Sequence, residues 1–273
     1  MWKSEEFVAK AKLFFGRASD HSGVDDEFTL WMLLGFEFLL RAPLAAVSPI
    51  LLAQPDGPSA LHAAGYSNPK WDPKSIPSHT VIERLKTVVS DYSEDRANDS
   101  IFLTGLRNAE LHTSQATLAN TRTEDWLPRW LRVCEILSAS LGQPLNSIVS
   151  DEVIERATEL AVAADRKLVV DVSKRVDACN QFFQKLSQAE IKTRQSIPTG
   201  LTSETVVVSC PSCRSDASLI LDSGRFTGER IRDDEIYWDR VSVAQNLNCF
   251  VCGLTNSSRI PTARARSAML SVT

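Results

Sequence analysis

The stretch TVVVSCPSC (residues 205–213) determines the fold of the C-terminal part of the chain, because a β-branched run leads into a CxxC turn. The stretch NCFVCG (residues 248–253) repeats the CxxC turn and adds a glycine that can reverse the chain. Two cysteines at this spacing direct both sulfur atoms to one point, and two such pairs complete the tetrahedron that Zn²⁺ prefers. The ligands predicted for one structural Zn²⁺ are Cys210, Cys213, Cys249 and Cys252.

The zinc ribbon is predicted to span residues 203–260, with 35 residues (214–248) between the two cysteine pairs. Apolar runs at residues 217–221 and 236–243 predict two of its strands. A basic tail follows at residues 261–273. The expected module is small and β-rich, and it needs the metal because so few residues cannot fold stably on core burial alone.

Two other uses of the CxxC pairs stay open, namely independent redox motifs and buried thiols without a metal ion. Zinc is favoured because neither pair lies in a βαβ context, and isolated buried cysteines would not pair so regularly. The remaining cysteines, Cys134 and Cys179, occupy apolar helical positions and are predicted to lie in the core.

The composition is typical of a soluble globular protein, with 43% hydrophobic and 23% charged residues. The formal net charge of −4 excludes a positive field over the whole molecule, so nucleic-acid contact would have to come from a local patch. The first residues, MWKSEE, lack the basic and apolar regions of a signal peptide. A cytoplasmic location is therefore expected, and its reducing conditions suit metal-binding CxxC pairs.

The most apolar stretch, residues 30–53, is predicted to be a buried helix, and no membrane partner is expected. Glu37, Arg41, Pro43 and Pro49 interrupt it, so no uncharged run is long enough to span a bilayer. Glu37 and Arg41 stand at i and i+4, the favourable order for an ion pair on a helix surface. Glu37 could also support Arg107 across the bundle, but the pair with Arg41 is the simpler interpretation. Pro43 is expected to disturb the helix.

Residues 1–148 are predicted to form a helical bundle, which makes the chain mainly α. The prediction rests on apolar positions at helical spacing and on capping residues or prolines at the helix ends. The predicted helices cover about residues 4–17, 26–43, 59–64, 78–89, 96–115 and 124–141. Ser78 is expected to cap the fourth of them.

A longer helix is predicted after residue 150, because ten apolar positions from Val153 to Leu186 recur at steps of three or four. The sequence allows one continuous helix or two helices that break near Asp165. This connector, residues 151–195, could carry the zinc module outward or pack against a second copy of the chain.

A short motif in the fifth predicted helix is the basis of the functional hypothesis. The stretch GLRNAELHT (residues 105–113) contains Arg107, Asn108 and His112, with four residues between the arginine and the histidine. This order of arginine, polar residue and histidine resembles the signature of the HEPN superfamily.

Two further stretches carry the same resemblance. FTLWMLLGFE (residues 28–37) is similar to the long early helix of that superfamily, and SIPSH (residues 75–79) with VIERL (residues 81–85) resembles its middle helix. The resemblance covers about residues 1–145 and implies a HEPN-like helical bundle. It does not extend to the long helix or the zinc ribbon.

The resemblance implies a metal-independent endoribonuclease, a hydrolase that cleaves RNA through attack of the 2′-OH on the neighbouring phosphate. His112 would be the general acid and base, since imidazole exchanges protons near neutral pH. Arg107 would stabilise the phosphate charge with its permanently charged guanidinium. Asn108 would orient a phosphate oxygen or the imidazole.

Arg107 and His112 lie about 140° apart around an ideal helix, so a single copy is expected to make a poor site. The resemblance implies a homodimer in which motifs from two subunits meet in one cleft. The residues alone leave another interpretation open, in which Arg107 pairs with Glu110 and His112 is an ordinary surface residue.

By the same resemblance, such proteins often act as toxins or as effectors of antiviral defence against phage. The expected partners are RNA, with tRNA among the candidates, and a regulatory or antitoxin protein. The alternative hypothesis is a non-catalytic subunit of a larger defence complex that binds proteins or nucleic acid through the bundle and the zinc ribbon.

Overall fold

α-Helices account for most of the residues that the structure, a computed structural model, describes. The described residues are 2–21, 25–197, 205–221, 225–232, 235–241 and 244–255. The chain divides into two compact units, Met1–Asp165 and Arg166–Thr273. The prediction of a mainly α chain with a small β-rich, cysteine-bearing module at its C-terminus is confirmed.

Eight α-helices lie within the described ranges, and each predicted helix is present with its ends shifted by a few residues. Their bounds are α1 Ser4–Ala18, α2 Asp26–Val47, α3 Gly57–Ala63, α4 Ser78–Val88, α5 Glu94–His112, α6 Thr123–Ser140, α7 Asp151–Phe183 and α8 Gln188–Gln195.

Helix α2 forms the centre of the first unit. It begins after Asp25, whose side chain accepts a hydrogen bond from the backbone N–H of Phe28 at 2.6 Å. Most of its residues are buried, and α1, α4, α5 and α6 pack around it. Trp130 of α6 is fully buried and meets the Phe15 ring edge to face, with 5.5 Å between ring centroids.

Helix α2 is also the one helix in the described part of the chain that is long and apolar enough to cross a membrane. Its most apolar window has a mean hydropathy of 1.6, and 67% of that window is buried inside the protein. Burial against the neighbouring helices accounts for this apolar composition, which is compatible with a soluble protein.

Two predicted helix boundaries are wrong. Helix α2 continues through Pro43 to Val47, because a proline removes only one backbone N–H and the residues around it are buried in the core. Ser78 is the first residue of α4 rather than its cap, and Pro77 precedes it. The Ser78 hydroxyl instead donates to the carboxylate of Glu37 at 2.6 Å, a charge-assisted hydrogen bond.

Helix α7 runs unbroken through Asp165, so the alternative of two helices that break there is excluded. Val153 and Ala157 near its start are buried in the core of the first unit. Further along, Val169 and Val170 are 63% and 49% exposed. Ala164 and Val172, two of the predicted apolar positions, are exposed as well, so the described part of the chain does not bury the whole apolar stripe.

The second unit contains a three-stranded antiparallel sheet in the order β1 (Thr205–Ser209), β2 (Asp216–Leu221) and β5 (Ala244–Asn248). Strands β3 (Arg225–Arg232) and β4 (Glu235–Val241) form a separate antiparallel pair. Because β1 and β5 are both antiparallel to β2, they run parallel to each other and end at the same edge of the sheet. Each is followed at once by a CxxC turn.

A close contact between α1 and α2 gives a stability prediction. A Cβ atom added at Gly35 would lie 2.5 Å from the buried ring of Phe15, which is itself packed against Trp130. Gly35→Ala is expected to lower the free energy of unfolding by about 2 kcal/mol, because the ring has no room to move. Chemical denaturation followed by circular dichroism measures this change.

Gly16→Ala in α1 is the matched control, since nothing lies within 4 Å of the added atom. Alanine raises the helix propensity there, so this variant should gain up to about 1 kcal/mol. Equal stability of the two variants would contradict the close packing of Gly35 on Phe15.

Candidate functional site

An open cleft of about 580 Å³ lies between α2, α4, α5 and the segment before α4. Two arginines, two histidines and one carboxylate line it, and these are Arg41, Arg107, His79, His112 and Glu37. Because the arginines outnumber the carboxylate, the lining favours an anionic ligand. The other lining residues are Ser75, Ile76, Pro77, Ser78, Ile82, Ile101, Thr104, Gly105 and Asn108.

Glu37 organises the wall of this cleft. One carboxylate oxygen, Oε1, accepts hydrogen bonds from Ser78 Oγ at 2.6 Å and from Arg41 Nη1. The other, Oε2, accepts from Arg107 Nη2 at 2.8 Å. The Glu37 side chain is only 12% exposed, so these three partners compensate its loss of hydration. The predicted pair with Arg41 forms, but it is largely buried and not on the helix surface.

Arg107 is held by Glu37 and does not pair with Glu110. Glu110 instead accepts a hydrogen bond from the backbone N–H of Leu118 at 2.9 Å. The Nε atom of Arg107 is buried and has no hydrogen-bond partner among the residues that the structure describes. The ion pair fixes the orientation of the guanidinium. Because a guanidinium has five N–H donors, others remain available for a ligand.

Arg107 and His112 both line this cleft within one copy, although they lie about 140° apart around an ideal helix. Gly105, Asn108 and His112 are three and four residues apart and form one stripe of α5 along the cleft. Arg107 lies beside this stripe, and its long side chain reaches across to Glu37. The exposed side chains of Asn108 and His112 can therefore meet a ligand that Arg107 also contacts.

His79 is a titratable cleft residue that the sequence pattern did not assign to the site. It is the second residue of α4, and its side chain is exposed in the cleft lining. The sequence contains one indication, its position beside Ser78. The Ser78 side chain binds the buried carboxylate of Glu37 in the cleft wall. That carboxylate is 41 residues away in the sequence, so the local pattern could not reveal the connection.

The predicted metal ligands of the second unit lie together at the edge of the sheet. Cys210, Cys213, Cys249 and Cys252 are all buried, and their sulfur atoms lie within 4.8 Å of one another. The Sγ–Sγ distance is 3.6 Å for Cys210 with Cys252 and for Cys213 with Cys249. Four thiolates at about 2.3 Å from one tetrahedral ion are about 3.8 Å apart, so this set could hold a metal ion.

The two CxxC turns have matching hydrogen bonds. In the first, the backbone N–H of Cys210 donates to Ser215 at 2.8 Å, and that of Cys249 donates to Leu254 at 2.8 Å in the second. The residue after each second cysteine has a positive φ, 65° at Arg214 and 76° at Gly253. Glycine accepts this conformation freely and arginine does not, so the first turn is held by its surroundings.

Burial opposes ionisation of two of these thiols, Cys249 and Cys252. Loss of hydration raises the pKa of the Cys249 thiol to about 11 and also raises the pKa of Cys252. A divalent cation at the centre of the cluster would reverse this effect, because a coordinated thiol loses its proton. The donor set is therefore one that a soft or borderline metal ion would complete.

Helices α7 and α8 support the cysteine cluster within the second unit. Ser212 Oγ in the first turn donates to the Val176 carbonyl at 2.8 Å, and Arg194 donates to the Val251 carbonyl in the second turn at 3.2 Å. Cys179, predicted as a core residue, packs against the cluster and contacts Cys252. Helical periodicity could not show which surface this side of α7 would meet.

No protein-family model, no curated protein and no solved structure matches this chain. The interpretation of the cleft and of the cysteine cluster therefore depends on their own geometry and chemistry.

The burial of Glu37 between two arginines gives a second stability prediction. Glu37→Gln keeps the shape of the side chain and removes its charge, which leaves Arg41 and Arg107 largely buried without a counter-ion. The free energy of unfolding should fall by about 3 kcal/mol, as for other broken buried pairs, when measured by urea denaturation.

Glu83→Gln serves as the control, because Glu83 pairs with Lys86 on an exposed face. Loss of that surface pair should change stability by about 0.5 kcal/mol or less. If the free energy of unfolding fell by the same small amount in both variants, Glu37 would not be the residue that organises the cleft.

Proposed function

We propose that this protein is a metal-independent endoribonuclease whose active site is the cleft around Glu37. The observation that supports this is the lining itself, in which a guanidinium, an amide and an imidazole from α5 stand together beside a second arginine and a second histidine. These groups can bind a phosphate and transfer a proton near neutral pH, the two tasks that RNA cleavage without metal requires.

In the proposed reaction, neutral His112 takes the proton of a ribose 2′-OH. The freed oxygen attacks the adjacent phosphorus and forms a pentacoordinate phosphorane with an additional negative charge. Arg107 stabilises that charge, and Asn108 orients a phosphate oxygen or the imidazole. The P–O5′ bond then breaks, the His112 imidazolium returns its proton to the leaving 5′ oxygen, and the products carry a 2′,3′-cyclic phosphate and a 5′-OH.

The ion pair with Glu37 has a role in this scheme. It positions the Arg107 guanidinium at 2.8 Å from a largely buried carboxylate, so the cation does not have to be ordered when RNA binds. With Arg41 included, two cations and one anion leave a net positive charge in the wall of the cleft. This charge favours the phosphorane more than the less negative phosphodiester.

The HEPN-like character of the bundle is part of the same proposal. Its support is the arginine–polar–histidine motif on α5, whose side chains line the cleft beside Glu37 of α2. We also propose a homodimer, which the exposed valines of α7 would favour. This activity would serve a cytoplasmic toxin or antiphage-defence effector that cleaves RNA such as tRNA. A regulatory or antitoxin protein would control it.

One observation favours the alternative of a non-catalytic interaction or nucleic-acid-binding subunit. Arg107 is largely buried and ion-paired with Glu37, an arrangement that also serves to join α2 and α5. In that case the cleft would bind a phosphate or a protein partner without cleaving RNA. The two functions differ in one measurable property, the appearance of cleaved RNA.

For the second unit we propose that the four cysteines bind one structural Zn²⁺. The tetrahedral set of four thiols is typical of zinc sites that leave no position open for catalysis. The metal ion would hold the ends of β1 and β5 together at one edge of a sheet that is too small to be stable alone.

The nuclease proposal predicts that purified protein cleaves tRNA or total RNA in the presence of EDTA. His112→Ala should lower the rate at least about 100-fold, as expected for loss of a general acid–base group. Gel electrophoresis measures the cleavage, and resistance of the product 3′ ends to polyadenylation shows whether they are cyclic phosphates.

His21→Ala is the matched control, because His21 pairs with Glu27 outside the cleft. It should cleave as the unmodified protein does. Equal cleavage by the His112 variant, or no cleavage by the unmodified protein, would leave the interaction subunit as the better description.

The zinc proposal predicts one zinc ion per chain in protein freed of loosely bound metal, as measured by elemental mass spectrometry. Cys249→Ser should lose the ion and become sensitive to protease in the second unit, since metal binding supplies the folding energy. Cys134→Ser, a buried cysteine of the first unit outside the cluster, should keep it. Retention of zinc by both variants, or a different metal in the unmodified protein, would contradict the assignment.

A further inference from the structure

Cationic and aromatic residues alternate along one face of α1. Lys3, Phe7, Lys10, Phe14 and Arg17 follow one another at steps of four, three, four and three residues, which places them on a single stripe from the residue before the helix to its last turn. A stripe that faced the core would not need cations between its two phenylalanines. The lysines and the arginine are exposed, and the two phenylalanines are half-buried.

The aromatic rings of this stripe continue onto α2 as a stack. Phe14 lies between Phe38 and Trp31, with 5.4 Å between centroids and an angle of 4° to the first ring, and 5.6 Å and 20° to the second. All three rings are half-buried, so the stack borders solvent. Its geometry is the offset-parallel one that a further planar group can extend.

Two cations lie against the stack, one over Phe38 and the other beside Trp31 and Phe14. Lys10 Nζ lies 4.4 Å from the centroid of the Phe38 ring. The Arg17 guanidinium lies 5.0 Å from the Trp31 ring and 5.3 Å from the Phe14 ring. Within the described residues, neither cation has a carboxylate within 4.0 Å, so the rings position both cations without neutralising them.

The stripe leads to the proposed active site. A second cleft of about 460 Å³ is lined by Phe7, Lys10 and Phe38, and it shares Glu37, Arg41 and Ser75 with the first cleft. The paired side chains of Glu37 and Arg41 therefore border both clefts, and Phe38 joins the stack to the second cleft. Glu6 also lines the second cleft and is its one carboxylate apart from Glu37.

We propose that this α1–α2 surface, defined by Lys10, Phe14, Arg17, Trp31 and Phe38, binds single-stranded RNA and guides it into the cleft around Glu37. The proposal rests on the proposed ribonuclease function and names the surface that would hold its substrate outside the cleft. The two cations contact backbone phosphates, and the ring edges and faces that border solvent stack on unpaired bases. A duplex does not fit, because its bases are already stacked on one another.

The combination of groups selects this occupant over other anions. An acidic peptide would be attracted by the cations, but its carboxylates would not stack on the three aromatic rings. Bases provide planar π-faces, and phosphates recur along the same strand, so one ligand meets both features of the surface. The surface carries only two of these cations, which is consistent with the net charge of −4, because that charge confines nucleic-acid contact to a local patch.

The test is binding of a fluorescent single-stranded oligoribonucleotide of about 16 nucleotides, measured by anisotropy over a range of salt concentrations. All variants carry His112→Ala, so that cleavage does not interfere. Lys10→Gln combined with Arg17→Gln should weaken binding about ten-fold at low salt and reduce the slope of log affinity against log salt by about 1.4, two phosphate contacts for a single strand. Phe38→Leu should weaken binding with no change in that slope.

Lys12→Gln is the matched control, because Lys12 is exposed on another face of α1. It should bind RNA as the His112→Ala protein does, and every variant should unfold at the same temperature as that protein. Duplex RNA and an acidic peptide serve as competitors, and single-stranded RNA should displace the probe best.

The outcomes separate this surface from the nuclease itself. If the unmodified protein cleaves RNA and the double variant binds RNA as well as the His112→Ala protein does, the surface proposal is overturned while the nuclease stands. If binding depends on Lys10 and Arg17 but the unmodified protein does not cleave RNA, the surface proposal is supported and the nuclease proposal is overturned. No binding of single-stranded RNA, or displacement by the acidic peptide at equal concentration, would overturn the surface.

Discussion

The first unit depends on one largely buried carboxylate that joins three helices. Glu37 of α2 binds Ser78 of α4, Arg107 of α5 and, one turn along its own helix, Arg41. Removing a carboxylate from water is costly, and that cost is offset only while all three partners stay in place. The same interaction that joins the helices therefore fixes the shape of the cleft and the position of its cations.

The two units use different physical means to hold reactive groups in place. In the first unit, a large apolar core around α2 makes the bundle rigid enough to keep an ion-pair network at its edge. Among the described residues of the second, few are buried, and the cysteines themselves form most of the small core. Coordination is an efficient way to stabilise such a module because it concentrates the binding energy at four atoms.

Local patterns predicted the elements well and their long-range connections poorly. Helical spacing and caps located the helices, and the repeated CxxC spacing located four cysteines that the structure brings together. The bond between Arg107 and Glu37 joins residues 70 positions apart, and no periodicity contains that information. The same limit explains why Ser78 was assigned to a cap and why His79 was not placed in the cleft. Arg214 shows a further limit, since its positive φ occurs where sequence rules would favour glycine.

The separate pair of strands β3 and β4 has a consequence for how this protein can vary. Leu221 at the end of β2 pairs with Ala244 at the start of β5, so the chain leaves the three-stranded sheet and returns to it at adjacent positions. None of the four cysteines lies between those two residues. The intervening hairpin is thus an insertion that can be lengthened, shortened or exchanged during evolution while the coordination geometry is inherited unchanged. Related proteins can be expected to differ most at this point, and a designer could graft a new recognition loop there.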